Sequence, residues 1–149
     1  MSLAAALALT CGGPTTKGEK GEKDMHRPIH FEILCDNPEK ASAFYRDVLG
    51  WDIANWQGQT YWLATTGPEG TPGINGGIMH KHLPQSVINT VDVASIDETL
   101  GKIERAGGRK VLGPNQIPGV GLHAYCADPE GNLFGILQPE PPAGTDRKF

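Results

Sequence analysis

The chain is short of what a metal-stapled, membrane-spanning or polyanion-binding protein needs. Only three cysteines occur in 149 residues, Cys11, Cys35 and Cys126, and no two stand at the close spacing of a zinc motif. Free thiols in a reducing compartment are the preferred reading, with a Cys35–Cys126 disulfide as the alternative. No apolar run approaches the roughly 20 residues that span a bilayer. Cations are outnumbered, 13 Lys and Arg against 17 Asp and Glu, for a net charge of −4. That balance argues against a broad basic face for nucleic acid or an anionic membrane, so small neutral or cationic ligands are the expected partners. The glycine-rich "GINGG" at 73–77 lacks the strand–turn–helix context of a dinucleotide loop and reads as close backbone packing or a flexible lip.

What the chain does have is a repetition. It spells Pro-Glu-Gly twice, as Pro68-Glu69-Gly70 and Pro129-Glu130-Gly131, a tract suited to turns because Pro fixes φ and Gly tolerates its positive range. The flanks extend the match. "NPEKASAFYRDVLGW" from Asn37 lies beside "SIDETLGKIERAGGR" from Ser95 without a gap, an offset of 95 − 37 = 58 that sets Gly50 on Gly108. "GQTYWLATTGPEG" from Gly58 continues against "GVGLHAYCADPEG" from Gly119 at 119 − 58 = 61, and "GGIM" from Gly76 returns to 58 against "FGIL" from Phe134. A register held over several elements marks two degenerate copies of one unit.

Each copy reads as strand, helix and three strands. In the first, Ile29, Phe31 and Ile33 alternate with His30, Glu32 and Leu34, so one strand addresses two environments. Asn37 followed by Pro38 is an N-cap with Pro at the first helical position. Ala41, Phe44, Tyr45, Val48 and Leu49 then form an apolar helical face. In the second copy Ser95 and Glu98 form a capping box, with Ile96, Leu100 and Ile103 as the buried stripe. The fold class is α+β, two βαβββ modules at about 27–82 and 86–139 forming a cupped mixed sheet. One unit alone has a four-stranded sheet with a single covering helix, so its other face needs a partner or a ligand. The domain runs over 26–139, with 140–149 as a C-terminal tail.

Residues 1–25 have a different composition, an apolar "SLAAALALTCGG" followed by a polar tract. Two readings stand: a mis-set start or dispensable tail on a cytoplasmic protein, or the leader of an exported lipoprotein anchored through Cys11. No membrane partner is expected unless Cys11 is lipidated.

The paired βαβββ pattern, with "NPEKASAFYRDVLGW" in one unit and "AGGRKV" and "DPEGNLFGILQ" in the other, resembles the glyoxalase, bleomycin-resistance and extradiol-dioxygenase family, the vicinal oxygen chelate proteins. The resemblance covers residues 27–139. It implies a cup between two curled half-sheets, association as a homodimer, and, in the family's metal enzymes, a divalent ion held by inward residues of the first and last strands of each unit. Here His30 matches the first ligand position, while its counterpart is Ile88 and the last-strand positions are Gly77 and Gly135. One imidazole does not make a metal centre, so no cofactor is expected and a divalent metal is the alternative.

His30 and Glu32, two apart on one strand, share a face and are the acid/base candidates. Phe31 and Ile33 should then pack under the first helix. Trp56, Tyr61, Trp62, His123 and Tyr125 fall on segments expected to wall the cup and contact a ligand. His80 and His82 belong to an exposed inter-module linker. The favoured function is a glyoxalase- or bleomycin-resistance-like protein binding a small molecule in the cup. Its rivals are a metal-dependent lyase of the lactoylglutathione-lyase kind or a dioxygenase, and a non-catalytic structural or interaction module.

Overall fold

Strand, helix and three strands follow one another twice along residues 26–141, the part of the chain that the computed structural model describes; the readings of residues 1–25, Cys11 included, and of residues 142–149 fall outside it. The first unit holds β1 (Pro28–Cys35), α1 (Pro38–Leu49), β2 (Asp52–Asn55), β3 (Tyr61–Thr65) and β4 (Asn75–His80). The second holds β5 (Val87–Asp92), α2 (Ile96–Arg105), β6 (Arg109–Ile117), β7 (Gly121–Ala127) and β8 (Leu133–Pro139).

Local chemistry sets the helix ends. Asn37 Oδ1 accepts from the Lys40 amide at 3.0 Å, Pro38 occupies the first turn, and Gly50 closes α1 at φ 69° with its N–H donating to Arg46 O, a left-handed cap that glycine adopts without a Cβ penalty. Ser95 Oγ accepts from the Glu98 amide at 3.3 Å, and the α2 start is tied to the sheet by Gln138 Oε1, which accepts from the Ile96 amide at 2.9 Å. The two Pro-Glu-Gly tracts make equivalent turns, with Gly70 at φ 83° and Gly131 at φ 85°.

All eight strands join one sheet in the order β2-β3-β4-β1-β5-β8-β7-β6. Within each module the first strand runs parallel to the fourth, β1 to β4 and β5 to β8, and the modules meet where β1 and β5 pair antiparallel. The sheet is therefore two copies of one four-stranded order, back to back about the β1–β5 seam.

The helices lie on one face. Phe31, Ile33 and Cys35 of β1 pack with Ala41 and Tyr45 of α1 around buried Ile53, Ala64 and Ile78, while Ile96, Leu100 and Ile103 of α2 pack on Ala124, Cys126 and Ile136. Each fully buried Ile there contributes about 1.5–3 kcal/mol of transfer free energy. The expected apolar face of α1 divides in two. Ala41 and Tyr45 turn to the sheet, whereas Phe44, Val48 and Leu49 are 57%, 61% and 53% exposed. Phe44 and Val48 point about a quarter-turn away from the covered side formed by Ala41, Ser42 and Tyr45, and Leu49 is the last residue of the helix. Cys35 and Cys126 are free thiols in the separate clusters under the two helices. Among the described residues no helix is long and apolar enough to cross a membrane.

Candidate functional site

The opposite, concave face is where polar groups are buried. Period-two alternation along β1 sends His30, Glu32 and Leu34 inward, and His30 and Glu32 are both 0% exposed. Strand register carries the line across the seam. His30 stands opposite Thr90, Thr90 opposite Gly135, and Gly135 opposite Tyr125, while Glu32 stands opposite Gly77 on one side and Ile88 on the other. Leu34, Tyr61, Met79, Leu83, Ile88, Tyr125, Ala127 and Leu133 surround this line as one apolar cluster, with Trp56 packed against it.

Two hydrogen bonds organise the interior. His30 Nε2 lies 2.9 Å from the Tyr61 hydroxyl, and the Tyr125 hydroxyl donates to Glu32 Oε1 at 2.8 Å. His123 packs edge-on against Tyr125, ring centroids 4.6 Å apart. Withdrawal from water disfavours every charged form here. Burial raises the Glu32 carboxyl to about 8 against the lowering effect of the Tyr125 bond. Burial first, and the charge of His123 second, lowers His30 to about 3; burial lowers His123 to about 4. Tyr61 and Tyr125 are both pushed well up, by burial and then by the neighbouring Glu32. At neutral pH the cluster is a set of uncharged donors and acceptors, with Glu32 as a protonated acid. Among the described residues, Glu32 Oε2, Thr90 Oγ1, His123 Nε2 and Trp56 Nε1 are buried without a hydrogen-bond partner.

The structure brings together His30, Glu32, Tyr61, His123 and Tyr125, with Trp56 at their border. Trp62 is the exception: it packs on the helix-side cluster, because adjacent residues of a strand face opposite ways and Tyr61 is the inward one. Tyr61 and Trp62 enter the expected cup wall together, as one segment, and the repeat alone does not say which of the two turns inward. Leu63 pairs with Gly77 and Tyr125 with Gly135, so β3 and β7 correspond at 125 − 63 = 62, whereas the Pro-Glu-Gly turns correspond at 131 − 70 = 61. A gapless alignment anchored on the turns is one residue out along the strand, which exchanges its two faces. Thr90 was not singled out in the sequence; the signal was that it corresponds to Glu32 at 90 − 32 = 58, as Ile88 corresponds to His30. His80 and His82 are exposed as expected, but His80 is the last residue of β4, paired with Cys35, and only His82 lies in the linker, its ring 6.0 Å from that of Tyr125.

The four positions that would hold the family's metal do not fit one. A Cβ built on Gly77 would overlap the hydroxyl end of Tyr61, and one on Gly135 would overlap Thr90 Oγ1 and stand 2.9 Å from His123 Nε2. Where acidic ligands would project, tyrosine, threonine and histidine side chains already fill the space, and Ile88 offers no donor. Among the described residues no three His, Cys, Asp or Glu side chains are grouped to hold an ion.

Two βαβββ modules joined through their first strands, with a buried polar line on the concave face, define a vicinal-oxygen-chelate-type domain. The chain belongs to the Glyoxalase/Bleomycin resistance protein/Dioxygenase superfamily, whose model matches residues 27–136. It is 35% identical over 121 residues to the proteins named "Putative glyoxylase CFP32" of Mycobacterium bovis and Mycobacterium tuberculosis, a match that covers 76% of this chain and 44% of each relative. The chain thus spans less than half the length of those relatives. Among solved structures, a methylmalonyl-CoA epimerase matches with a TM-score of 0.58 at 14% identity, over 80% of this chain and 99% of that one. A superfamily member from Vibrio splendidus matches with a TM-score of 0.56 at 17% identity, over 75% and 97%. At these identities the structural likeness speaks to the fold alone.

Proposed function

We propose that the protein binds a small molecule on the concave face between the modules, and that Glu32 and His30 handle it as proton donor and proton acceptor respectively. The observation that carries this reading is the pairing of two buried titratable groups on β1 with tyrosines from different modules, His30 with Tyr61 and Glu32 with Tyr125. Buried polar networks of this kind are costly to keep, and acid/base chemistry gives a reason to keep one. A protonated carboxylic acid beside neutral imidazoles can donate to a developing anion or hand over a proton at neutral pH. Trp56, Tyr61 and Tyr125 supply the apolar wall for the body of the ligand. A thermal-shift screen of aldehydes, thiol adducts, aromatics and cationic antibiotics tests the reading. It expects a compound that stabilises the wild type and loses its effect in Glu32→Gln; ligands that stabilise both equally would place binding elsewhere.

A metal-dependent lyase or dioxygenase remains the rival within the family, and elemental analysis of protein purified without chelator separates it. Stoichiometric divalent metal lost in His30→Ala would favour that rival. The interaction-module reading draws on the exposed Phe44, Val48 and Leu49 of α1; homodimerisation, proposed from the family resemblance, is measured by light scattering. A cytoplasmic location is proposed because free thiols suit a reducing compartment.

A further inference from the structure

Two of the unpartnered polar atoms share one place. Thr90 Oγ1 and His123 Nε2 come from different strands, β5 and β7, yet both close over the α-carbon face of Gly135 on β8, the first overlapping and the second 2.9 Å from the point a Cβ would occupy. Both residues are buried, Thr90 at 0% and His123 at 3% exposed, and neither atom has a hydrogen-bond partner among the described residues. Register explains the meeting: Thr90 pairs with Gly135 and Gly135 with Tyr125, two residues along from His123. A side chain at position 135 would collide with Thr90 and crowd His123, so the glycine is what lets both atoms stand over this one point.

A buried hydroxyl and a buried imidazole nitrogen left without partners weaken a fold by the hydration they give up. A valine at 90 would fill the same volume without that penalty. Unpaired groups of this kind are expected where a ligand completes them.

We propose that Thr90 and His123, over Gly135, form the recognition point of the concave site and read one uncharged group of the hydroxyl or amide class. The inference rests on the reading of this face as a ligand site and goes beyond it by naming residues and ligand chemistry. Thr90 Oγ1 both donates and accepts, while His123 Nε2 takes one role according to its tautomer, so a group carrying a donor and an acceptor satisfies both. The surroundings favour neutrality, because the cluster bordering this line, Leu34, Met79, Ile88 and Leu133 with Tyr61 and Tyr125, carries no charged side chain to pair with an ion. An ordered water has the same hydrogen-bonding chemistry, and the test separates the two occupants.

Acetamide, acetate and acetamidinium are nearly isosteric and differ in charge. With nitrogen-15-labelled histidine side chains, acetamide should shift the His123 Nε2 resonance in a saturable way, and the two ions should not. Thr90→Val should weaken acetamide binding at least tenfold while leaving Tm equal or higher, and Thr90→Ser, which keeps the hydroxyl, should retain the response. A His123 resonance that acetamide leaves in place means a site for water only and overturns the proposal. So does an equal response to acetate, or a Thr90→Val protein that loses Tm and still binds acetamide. If acetamide moves His30 but not His123, this inference fails while the ligand-site reading stands.

Discussion

The Tyr125 hydroxyl donates to Glu32 Oε1 at 2.8 Å across 93 positions of sequence, joining β7 of one module to β1 of the other. Tyr125→Phe should lower stability by about 1–3 kcal/mol in urea unfolding, the range for leaving a buried polar group without its partner. In a double-mutant cycle with Glu32→Leu, which removes the acceptor, the two losses should fall short of adding, by about 0.5–3 kcal/mol of coupling. Strict additivity would mean that the bond contributes nothing.

The three buried titrations give stability a peak with pH. His30 and His123 fall from 6.5 to about 3 and about 4 on folding, so below pH 6.5 the unfolded chain holds more protons and stability rises with pH. Glu32 goes the other way, from 4.5 to about 8; between these values the folded chain holds the extra proton and stability falls as pH rises. The histidines prevail up to about pH 6.5 and Glu32 beyond it. Denaturant unfolding should show the maximum near pH 6.5 and a decline toward pH 8 of roughly 0.5–1 kcal/mol per unit, since Glu32 is itself half ionised in the folded chain by pH 8. Glu32→Gln should abolish the decline.

Much of this was legible in the sequence because the pattern was written twice. Helix caps at Asn37 and Ser95, turn glycines at 70 and 131, and the inward His30 and Glu32 follow from period, capping and register. Alternation already excluded placing both Tyr61 and Trp62 on the cup; which of them turns inward was not legible, because one residue's difference between strand and turn correspondence reverses a face. Phe44, Val48 and Leu49 were misplaced for another reason: helical periodicity identifies an apolar face but not how much of that face, or of the last turn, the sheet covers. The Thr90–His123 meeting over Gly135 depends on three strands distant in sequence, which no local pattern encodes.

The glycines on the concave face make a prediction of unusual sign. Ala ordinarily stabilises a strand or helix interior relative to Gly by roughly 0.5–1 kcal/mol. Gly77→Ala should instead destabilise by about 1–3 kcal/mol, the cost of overpacking, because its methyl would meet the hydroxyl end of Tyr61, whose ring is buried and cannot swing aside. Thermal unfolding reads the difference.

The two faces of α1 should differ in their sensitivity. Ile78, fully buried beneath the helix, should lose about 2–5 kcal/mol on Ile78→Ala. Phe44, more than half exposed, should stay within about 0.5 kcal/mol on Phe44→Ala in dilute monomer. A large loss at Phe44 that depends on protein concentration would identify the ridge as an interface between copies.

The central claim is that the concave face is an uncharged, proton-bearing site rather than a metal centre, and the Glu32 side-chain carboxyl reports on it most directly. Its carbon-13 resonance, followed through a pH titration of selectively labelled protein, should turn over near pH 8 and be unmoved by added divalent metal. A midpoint at the ordinary 4.5, or a carboxylate that ionises on addition of stoichiometric metal, would contradict the account.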